Sequence, residues 1–210
     1  MHIRQADRAK NRILSAAEAL FAEKGVAGVT LRQITANAHA NLAAVNYHYF
    51  DKERLAWEIF LRRIRPLNAA RLEALAKLEA GCGDQPVAFS AIIDAFARPL
   101  FICGSDPDGY NAHSRRLVGR IFTEPLPFAP ELLGTEMQPT MTRFAQAIRR
   151  HAPKSSPADF VWRFSFVVGA MHHALATLHD MQARTNGICR NNDAEAALRN
   201  FIAFGVQAFT

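Results

Sequence analysis

A short stretch near the N-terminus carries the side chains best suited to bind a nucleic acid. Residues 42–44 are small and apolar, and hydrogen-bonding side chains follow at Asn46, Tyr47 and His48. Small apolar side chains can contact thymine methyl groups, and polar ones can bind base edges or phosphates. Lys52 lies at the first turn of the next predicted helix, where free backbone N–H groups also favour a phosphate. The chemistry that this stretch predicts is therefore binding to double-stranded DNA.

The distribution of charge supports a polyanionic partner for the same region. The chain has 210 residues and a net charge of +6. Residues 1–65 hold 11 Lys and Arg against 6 Asp and Glu, a net charge of +5, whereas the remaining residues hold 14 basic and 13 acidic side chains, a net charge of +1. This asymmetry is typical of nucleic-acid-binding proteins. A basic face that only aids solubility would have the same composition, so charge alone leaves both interpretations open.

Helical periodicity surrounds this stretch and predicts three N-terminal helices. The first covers about residues 6–23. Thr30 and Gln33 have the spacing of a capping box at the start of the second helix. Asn41 can cap a short third helix over residues 42–48. Two short helices behind a longer one form a helix-turn-helix, in which the third helix would be the recognition helix.

The rest of the chain is also predicted to be helical. Pro66 and Pro139 are expected to kink the helices that contain them. The predicted helices cover residues 52–79, 86–103, 111–123, 131–151, 157–184 and 193–209. The predicted fold class is therefore all-α. It combines an N-terminal three-helix helix-turn-helix DNA-binding domain over residues 1–50 with a C-terminal helical ligand-binding and dimerisation domain over residues 51–210.

Three segments resemble the DNA-binding domain of TetR-family transcriptional regulators. They are ILSAAEALFAEKG at residues 13–25, TLRQI at 30–34 and VNYHYFDKE at 45–53, within a resemblance over about residues 8–60. His39 stands where this family usually has glycine, so we expect a strained left-handed turn there. The DNA-binding residues that the motif and the resemblance imply are Thr30, Arg32, Gln33, Asn41, Leu42, Ala43, Ala44, Asn46, Tyr47, His48 and Lys52.

Further segments resemble the PsrA-like branch of this family, which includes fatty-acid-responsive repressors. They lie at residues 41–48, 66–72, 119–125 and 162–170. The resemblance implies a repressor that a long-chain fatty acid or acyl-CoA releases from a palindromic operator. The wide apolar faces of the last two helices predict a homodimer through them. A regulator that responds to another hydrophobic or aromatic ligand, or to none, is the alternative.

The middle helices are rich in bulky apolar side chains that suit an apolar cavity. The chain has 15 Phe against 3 Tyr, which gives large rings without a polar group. The predicted ligand-binding residues are Phe96, Leu100, Phe101, Arg116, Leu117, Arg120, Ile121, Met137, Met141, Phe144, Trp162 and Phe166. Such spacing is also typical of an ordinary core. Arg120 can either pair with Glu124 four residues later or bind a ligand carboxylate, and both interpretations stay open.

Other function classes have less support in the sequence. His172, His173 and His179 have no carboxylate or cysteine at matching spacing, so no metal site is predicted. Cys103 and His113 belong to no recognisable nucleophile–base set, and no Gly-rich phosphate loop is present, so no catalytic residue or cofactor is predicted. A helical enzyme acting on acyl substrates remains a remote alternative. The absence of a long apolar run or a secretory leader, together with three scattered cysteines, predicts a cytoplasmic protein without a membrane partner.

Overall fold

The structure is a computed structural model that describes residues 2–41, 49–83, 85–102, 110–120 and 124–210. Every regular element in these ranges is helical, which confirms the all-α prediction. The elements are α1 (His2–Lys24), α2 (Leu31–Ala38), α3 (Lys52–Gly81), α4 (Phe89–Phe101), α5 (Ala112–Arg120), α6 (Ala129–Leu132), a π-helical turn (Leu133–Met137), α7 (Gln138–Arg149), α8 (Pro157–Thr177), a 3-10 turn (Leu178–Asp180), α9 (Met181–Arg184) and α10 (Ala194–Gln207). The predicted recognition helix lies outside the described residues.

Side-chain caps set the bounds of the N-terminal helices. The Thr30 hydroxyl accepts a hydrogen bond from the backbone of Gln33, whose side chain accepts one from the Thr30 backbone. His39 ends α2 at φ 47° and ψ 47°, so the expected left-handed conformation is confirmed. Asp51 begins α3 because its carboxylate accepts a hydrogen bond of 2.7 Å from the Arg54 backbone. These caps fix the C-terminal bound of α2 and the N-terminal bound of α3.

Two prolines bear on the bounds of the helices. α3 continues through Pro66 as one helix, and the buried side chains of Ile64 and Leu67 on either side of it pack in the core. The expected kink at Pro66 stays a prediction. The helix predicted from Pro86 begins only at Phe89, since the intervening backbone is not helical. The second half of α3 therefore extends the N-terminal part of the chain into the C-terminal core.

The helix predicted over residues 131–151 is divided into three elements. α6 ends at Leu132, the π-helical turn follows, and α7 begins at Gln138. Pro139 lies in the first turn of α7, where its missing N–H needs no partner within that helix, and it follows directly after the π-helical turn. The expected kink at Pro139 stays a prediction. The π-helical turn thereby lies between two α-helices in the wall of the core.

The last long helices are shorter than the periodicity indicates. Ser156 caps α8 by accepting a hydrogen bond of 3.1 Å from the Asp159 backbone. α8 ends at Thr177, and the 3-10 turn separates it from α9, so the helix predicted over 157–184 is interrupted. Asp193 caps α10 in the same way as Ser156 caps α8.

α5 joins the two parts of the molecule together with α3. It packs on α1 on one side and on α8 on the other. A Cβ atom at Gly119 would lie 2.3 Å from the backbone nitrogen of Ala176, so α5 and α8 cross in very close contact. None of the helices described combines the length and the apolar character that crossing a bilayer requires.

Candidate functional site

The exposed side of α2 presents the predicted DNA-binding residues that the structure describes. Thr30, Arg32, Gln33 and Asn41 are exposed, whereas Ile34 on the opposite side is fully buried. The capping box holds Thr30 and Gln33 in place, which leaves the Arg32 guanidinium facing solvent at the N-terminal end of the helix. The predicted residues outside the described ranges are Leu42, Ala43, Ala44, Asn46, Tyr47 and His48.

Lys52 ties the start of α3 to the loop between α1 and α2. Its ammonium group donates hydrogen bonds to the carbonyl oxygens of Val29 at 3.1 Å and Ala27 at 3.5 Å. An ammonium group has three donors, so one more is available for an anion such as a phosphate. Lys52 therefore makes a structural contact, and its predicted phosphate contact stays a prediction.

Two aromatic residues follow the predicted recognition helix and differ in their environment. Tyr49 is buried, and this burial raises the pKa of its hydroxyl to about 12. Phe50 has φ 61° and is 83% exposed, which is unusual for a large apolar side chain. Sequence reasoning missed Phe50, because neither hydrophobicity nor propensity predicts a phenylalanine in this conformation.

A buried polar cluster joins α1, α3 and α5. The Arg63 guanidinium donates hydrogen bonds of 2.7 and 2.6 Å to the two carboxylate oxygens of Glu18. The Ser114 hydroxyl donates a third, of 2.5 Å, to the same carboxylate. A bidentate pair with a further donor satisfies the Glu18 charge within the chain. This cluster attaches α1 to α3 and α5.

A second set of contacts fastens α5 to the C-terminal end of α1. Arg116 and Arg120 each donate a hydrogen bond of 3.3 Å to the carbonyl oxygen of Glu23, where a helix end favours cations. The predicted Arg120–Glu124 ion pair is confirmed at 2.5 Å. Glu124 also accepts a hydrogen bond from the Val26 backbone at 3.2 Å. We call the six side chains of these two clusters the α1–α5 junction: Glu18, Arg63, Ser114, Arg116, Arg120 and Glu124.

The predicted ligand-binding residues divide into an interior group and an outer group. The interior group, each at most 2% exposed, is Phe96, Leu100, Phe101, Leu117, Met137 and Phe144. Met141 is half-buried beside it, and Ile121 lies outside the described residues. Trp162 and Phe166 are 63% and 62% exposed on α8, so they do not join the interior group.

Arg71 on α3 lies inside the interior group and was missed by the sequence analysis. It is 1% exposed, and its guanidinium carbon lies 4.1 Å from the centre of the Phe96 ring. Burial lowers the pKa of Arg71 to about 9, so the side chain still carries its charge at neutral pH. The indication was present in the sequence: Arg71 follows Ile64 and Leu67 on one helical stripe, where a third apolar residue would be expected.

His172 on α8 is also completely buried in this region. Its Nδ1 nitrogen donates a hydrogen bond of 2.8 Å to the carbonyl oxygen of Val168. Burial, with a smaller effect of the nearby Arg71 charge, lowers the pKa of His172 to about 3, so the ring is neutral.

Within the described part of the chain, no group of three or more His, Cys, Asp or Glu side chains could hold a metal ion.

Comparisons with known proteins agree on both parts of the chain. Residues 13–59 match the family described as bacterial regulatory proteins of the tetR family. Residues 94–208, more than half of the chain, match the tetracyclin repressor-like C-terminal domain. No curated protein sequence matches the chain.

Solved structures with low sequence identity share the fold. The TetR family transcriptional regulator PfmR from Thermus thermophilus is 20% identical with a TM-score of 0.62, over 93% of this chain and 97% of that chain. A TetR-like transcriptional regulator from Rhodococcus sp. RHA1 is 18% identical with a TM-score of 0.54, over 95% and 96% of the two chains.

Both parts of the chain thus lead to the same family, whose members are DNA-binding transcriptional regulators and not enzymes. Members of the family typically dimerise and bind small-molecule ligands. On the strength of the two matched regions, the chain belongs to the TetR family of bacterial transcriptional regulators.

Proposed function

We propose that the protein is a homodimeric repressor that binds a palindromic operator in the cytoplasm and is released by a small apolar effector. The observation that carries this proposal is α2, which is capped at both ends and has one exposed side, in a chain of this family whose sequence continues directly into residues 42–48. The proposed DNA contacts come from α2, residues 41–48 and the start of α3. They are Thr30, Arg32, Gln33, Asn41, Leu42, Ala43, Ala44, Asn46, Tyr47, His48 and Lys52.

The outer faces of α8 and α10 support a dimer through these two helices. Trp162 and Phe166 have ring centres 5.9 Å apart and are largely exposed, and Val161 and Phe204 are exposed as well. Monomeric proteins rarely expose contiguous apolar patches of this kind. A twofold interface uses the same patch on both subunits and would set two recognition helices on the two halves of a palindrome. We therefore assign Trp162 and Phe166 to the dimer face.

A long-chain fatty acid or acyl-CoA is the effector that we propose for the C-terminal core. The interior group of apolar side chains, with the half-buried Met141 at its edge, supplies surroundings in which a flexible hydrocarbon chain is favourable. Each buried CH₂ contributes about 0.8 kcal/mol, so affinity should rise with chain length until the available space is filled. The segments similar to the PsrA-like branch motivate the same choice.

The α1–α5 junction supplies a physical route from the effector to the DNA. An effector that displaces α5 relative to α8 must also move α1, because Arg116 and Arg120 hold the end of α1 and Ser114 holds Glu18. The spacing of the two recognition helices would then no longer fit the operator. By linkage, the effector lowers DNA affinity by the same factor by which DNA lowers effector affinity.

Selection of bound duplexes from a random DNA pool tests the operator directly. We expect an enriched palindrome, and Tyr47→Phe and Lys52→Ala should bind it more weakly while melting as cooperatively as the native protein. Lys52→Ala should also reduce the slope of log K against log salt by about one unit, as the loss of one phosphate contact does. Lys77→Ala, an exposed lysine paired with Glu73 far along α3, is the matched control and should change neither quantity.

Recovery of no preferred sequence, or unchanged binding by both variants, would contradict the proposed interface. Titration of acids of increasing chain length into the protein–operator complex then tests the effector. Release that improves with chain length supports a fatty acid. Release by an unrelated aromatic compound alone, or by no compound, would leave a regulator of another specificity or one without ligand control.

A further inference from the structure

Arg71 carries a positive charge in the core that no Asp or Glu carboxylate among the described residues pairs with, and the Tyr110 hydroxyl nearby only partly offsets the effect of burial on the pKa of Arg71. Its Nε donates a hydrogen bond of 2.8 Å to the Phe96 carbonyl oxygen, and Nη1 donates one of 3.3 Å to the Asn68 side chain. Nη2 has no hydrogen-bond partner in the described part of the chain, although it is inaccessible to solvent. The ion pairs of the described residues all involve other basic side chains. Burying a charged group in this way is costly unless an anion neutralises it.

We infer that Arg71 binds the carboxylate of a small organic acid whose apolar body lies in the core between α3, α4, α7 and α8. The inference rests on the proposed function, because it gives the chemical class of the effector. It also changes the identity of the anchor, since Arg116 and Arg120 are engaged at the α1–α5 junction.

The donors at Arg71 suit a carboxylate better than a larger anion. The two N–H groups of Nη2 and the second N–H of Nη1 are the donors that the described residues leave unused. A carboxylate accepts two parallel hydrogen bonds from one guanidinium, which matches these donors. A phosphate monoester carries more charge and three terminal oxygens, and sites for it are built from several cationic or backbone donors. His172 does not supply that extra charge, because its ring is neutral and hydrogen-bonded to the Val168 backbone.

The surroundings of Arg71 suit an apolar body attached to that carboxylate. The Phe96 and Phe144 ring centres lie 4.1 and 5.8 Å from the guanidinium carbon, and the Phe164 ring lies 6.0 Å from that of Phe96. The rings attract the cation through their faces, but they do not satisfy its N–H groups. A hydrocarbon or aromatic group would therefore find apolar contacts at the point where its carboxylate meets the only strong cation of this cluster among the described side chains.

The π-helical turn gives the wall of this cluster an element that can rearrange. The Asn68 side chain accepts from Arg71 and donates a hydrogen bond of 2.7 Å to the carbonyl oxygen of Glu136 within the turn. The buried Met137 is the last residue of the same turn. π-helical turns are rare and are frequent at functional sites where they occur. Asn68 thus links Arg71 to the backbone of the π-helical turn through two hydrogen bonds.

Matched acids and alcohols test the inference on the full-length protein by titration calorimetry. The probes are octanoate, decanoate and 4-phenylbutyrate, each compared with the alcohol of the same carbon skeleton. We expect at least one acid to bind about tenfold or more tightly than its alcohol, because a charge-assisted bidentate pair is among the strong hydrogen-bonded contacts. Arg71→Met should abolish this preference while the alcohol binds as it does to the native protein. Arg71→Lys, which keeps the charge without the planar pair of donors, should retain an intermediate preference.

Arg65→Met is the matched control, because Arg65 lies on the same helix and pairs with Glu136 of the same turn from the exposed side. It should keep the full preference for the acid. The inference is overturned if no acid binds, if acid and alcohol bind equally to the native protein, or if Arg71→Met keeps the preference. Binding of the operator is measured in parallel without any probe. If the native protein does not bind an operator, the proposed function is contradicted. If it binds the operator but shows no preference for the acid, only the role of Arg71 is contradicted.

Discussion

Arg63 and Arg71 lie on the same helix and are both buried, but their guanidinium groups contact different kinds of partner. Arg63 meets the Glu18 carboxylate through two hydrogen bonds at the α1–α5 junction. Arg71 meets a backbone carbonyl, an amide and two aromatic rings, and no carboxylate of the described chain pairs with it. A charge that the chain itself neutralises stabilises a fixed contact. A charge that no carboxylate of the described residues meets is, on the inference above, available to an anion from outside.

Breaking the neutralised pair should produce the largest loss of stability. Glu18→Gln removes the charge that faces Arg63, and Arg63→Met leaves the Glu18 carboxylate buried with Ser114 as its donor. Each should lower the free energy of unfolding by about 3–5 kcal/mol, as removal of one partner of a buried pair does. Urea denaturation followed by circular dichroism measures this. Glu73→Gln, in an exposed pair with Lys77, should leave the transition unchanged. A loss below about 1 kcal/mol in both junction variants would mean that the pair is not a structural tie.

The same change at Arg71 should have the opposite sign. Arg71→Met removes a desolvated charge and fills the position with an apolar side chain of similar length, so it should raise the free energy of unfolding by about 1–4 kcal/mol. The measurement is the same urea titration, without any added acid. A clear destabilisation by Arg71→Met would show that the chain already neutralises this charge, and the contrast with Arg63 would disappear.

The pH dependence of the free energy of unfolding tests whether the buried His172 ring, close to Arg71, stays neutral in the folded protein. The pKa of His172 is lowered to about 3 in the folded chain and has its ordinary value in the unfolded chain, so the unfolded state binds the proton first. This contribution to stability is present above about pH 6.5 and is lost as the pH falls below it, by up to about 1.4 kcal/mol per pH unit. His172→Asn should remove that dependence between about pH 6.5 and 4, whereas His173→Asn, at an exposed position, should keep it. Equal profiles for the native protein and His172→Asn would contradict a buried neutral ring.

The smallest expected effect on the free energy of unfolding comes from His39 at the end of α2. His39→Gly should relieve the left-handed strain and raise the free energy of unfolding by about 0.4–1 kcal/mol, less the entropy that glycine adds to the unfolded chain. His39→Ala keeps the strain and should give no such gain. Thermal melting of both variants measures the difference. A loss of stability in His39→Gly beyond this range would mean that the imidazole makes a specific contact.

Features that depend on neighbouring residues could be predicted from the sequence better than features that depend on distant ones. Capping at Thr30, Asp51 and Ser156 depends on neighbours within four residues, so their local patterns predicted these helix starts. The helix start predicted at Pro86 was wrong, since α4 begins only at Phe89.

The candidate site was less predictable because it depends on contacts between distant residues. The ion pair of Arg120 with Glu124 could be predicted, since the two residues lie one helical turn apart. The attachment of Arg120 to Glu23 and the bond between Glu18 and Ser114 join positions 97 and 96 residues apart in the chain. The role that we infer for Arg71 depends on the absence of a carboxylate beside it among the described residues, and no local sequence pattern contains that information.

Release of the operator in the presence of an acid tests the central claim most directly. A labelled operator duplex bound to the native protein is titrated with decanoate, and fluorescence anisotropy follows dissociation for the native protein and for Arg71→Met, Arg65→Met and Glu18→Gln. The account predicts that decanoate releases the native protein and Arg65→Met, whereas Arg71→Met stays bound at the same concentrations. Glu18→Gln, with a weakened junction, should bind the acid but release DNA less completely. Equal release of Arg71→Met and the native protein, or release by 1-decanol as readily as by decanoate, would contradict it.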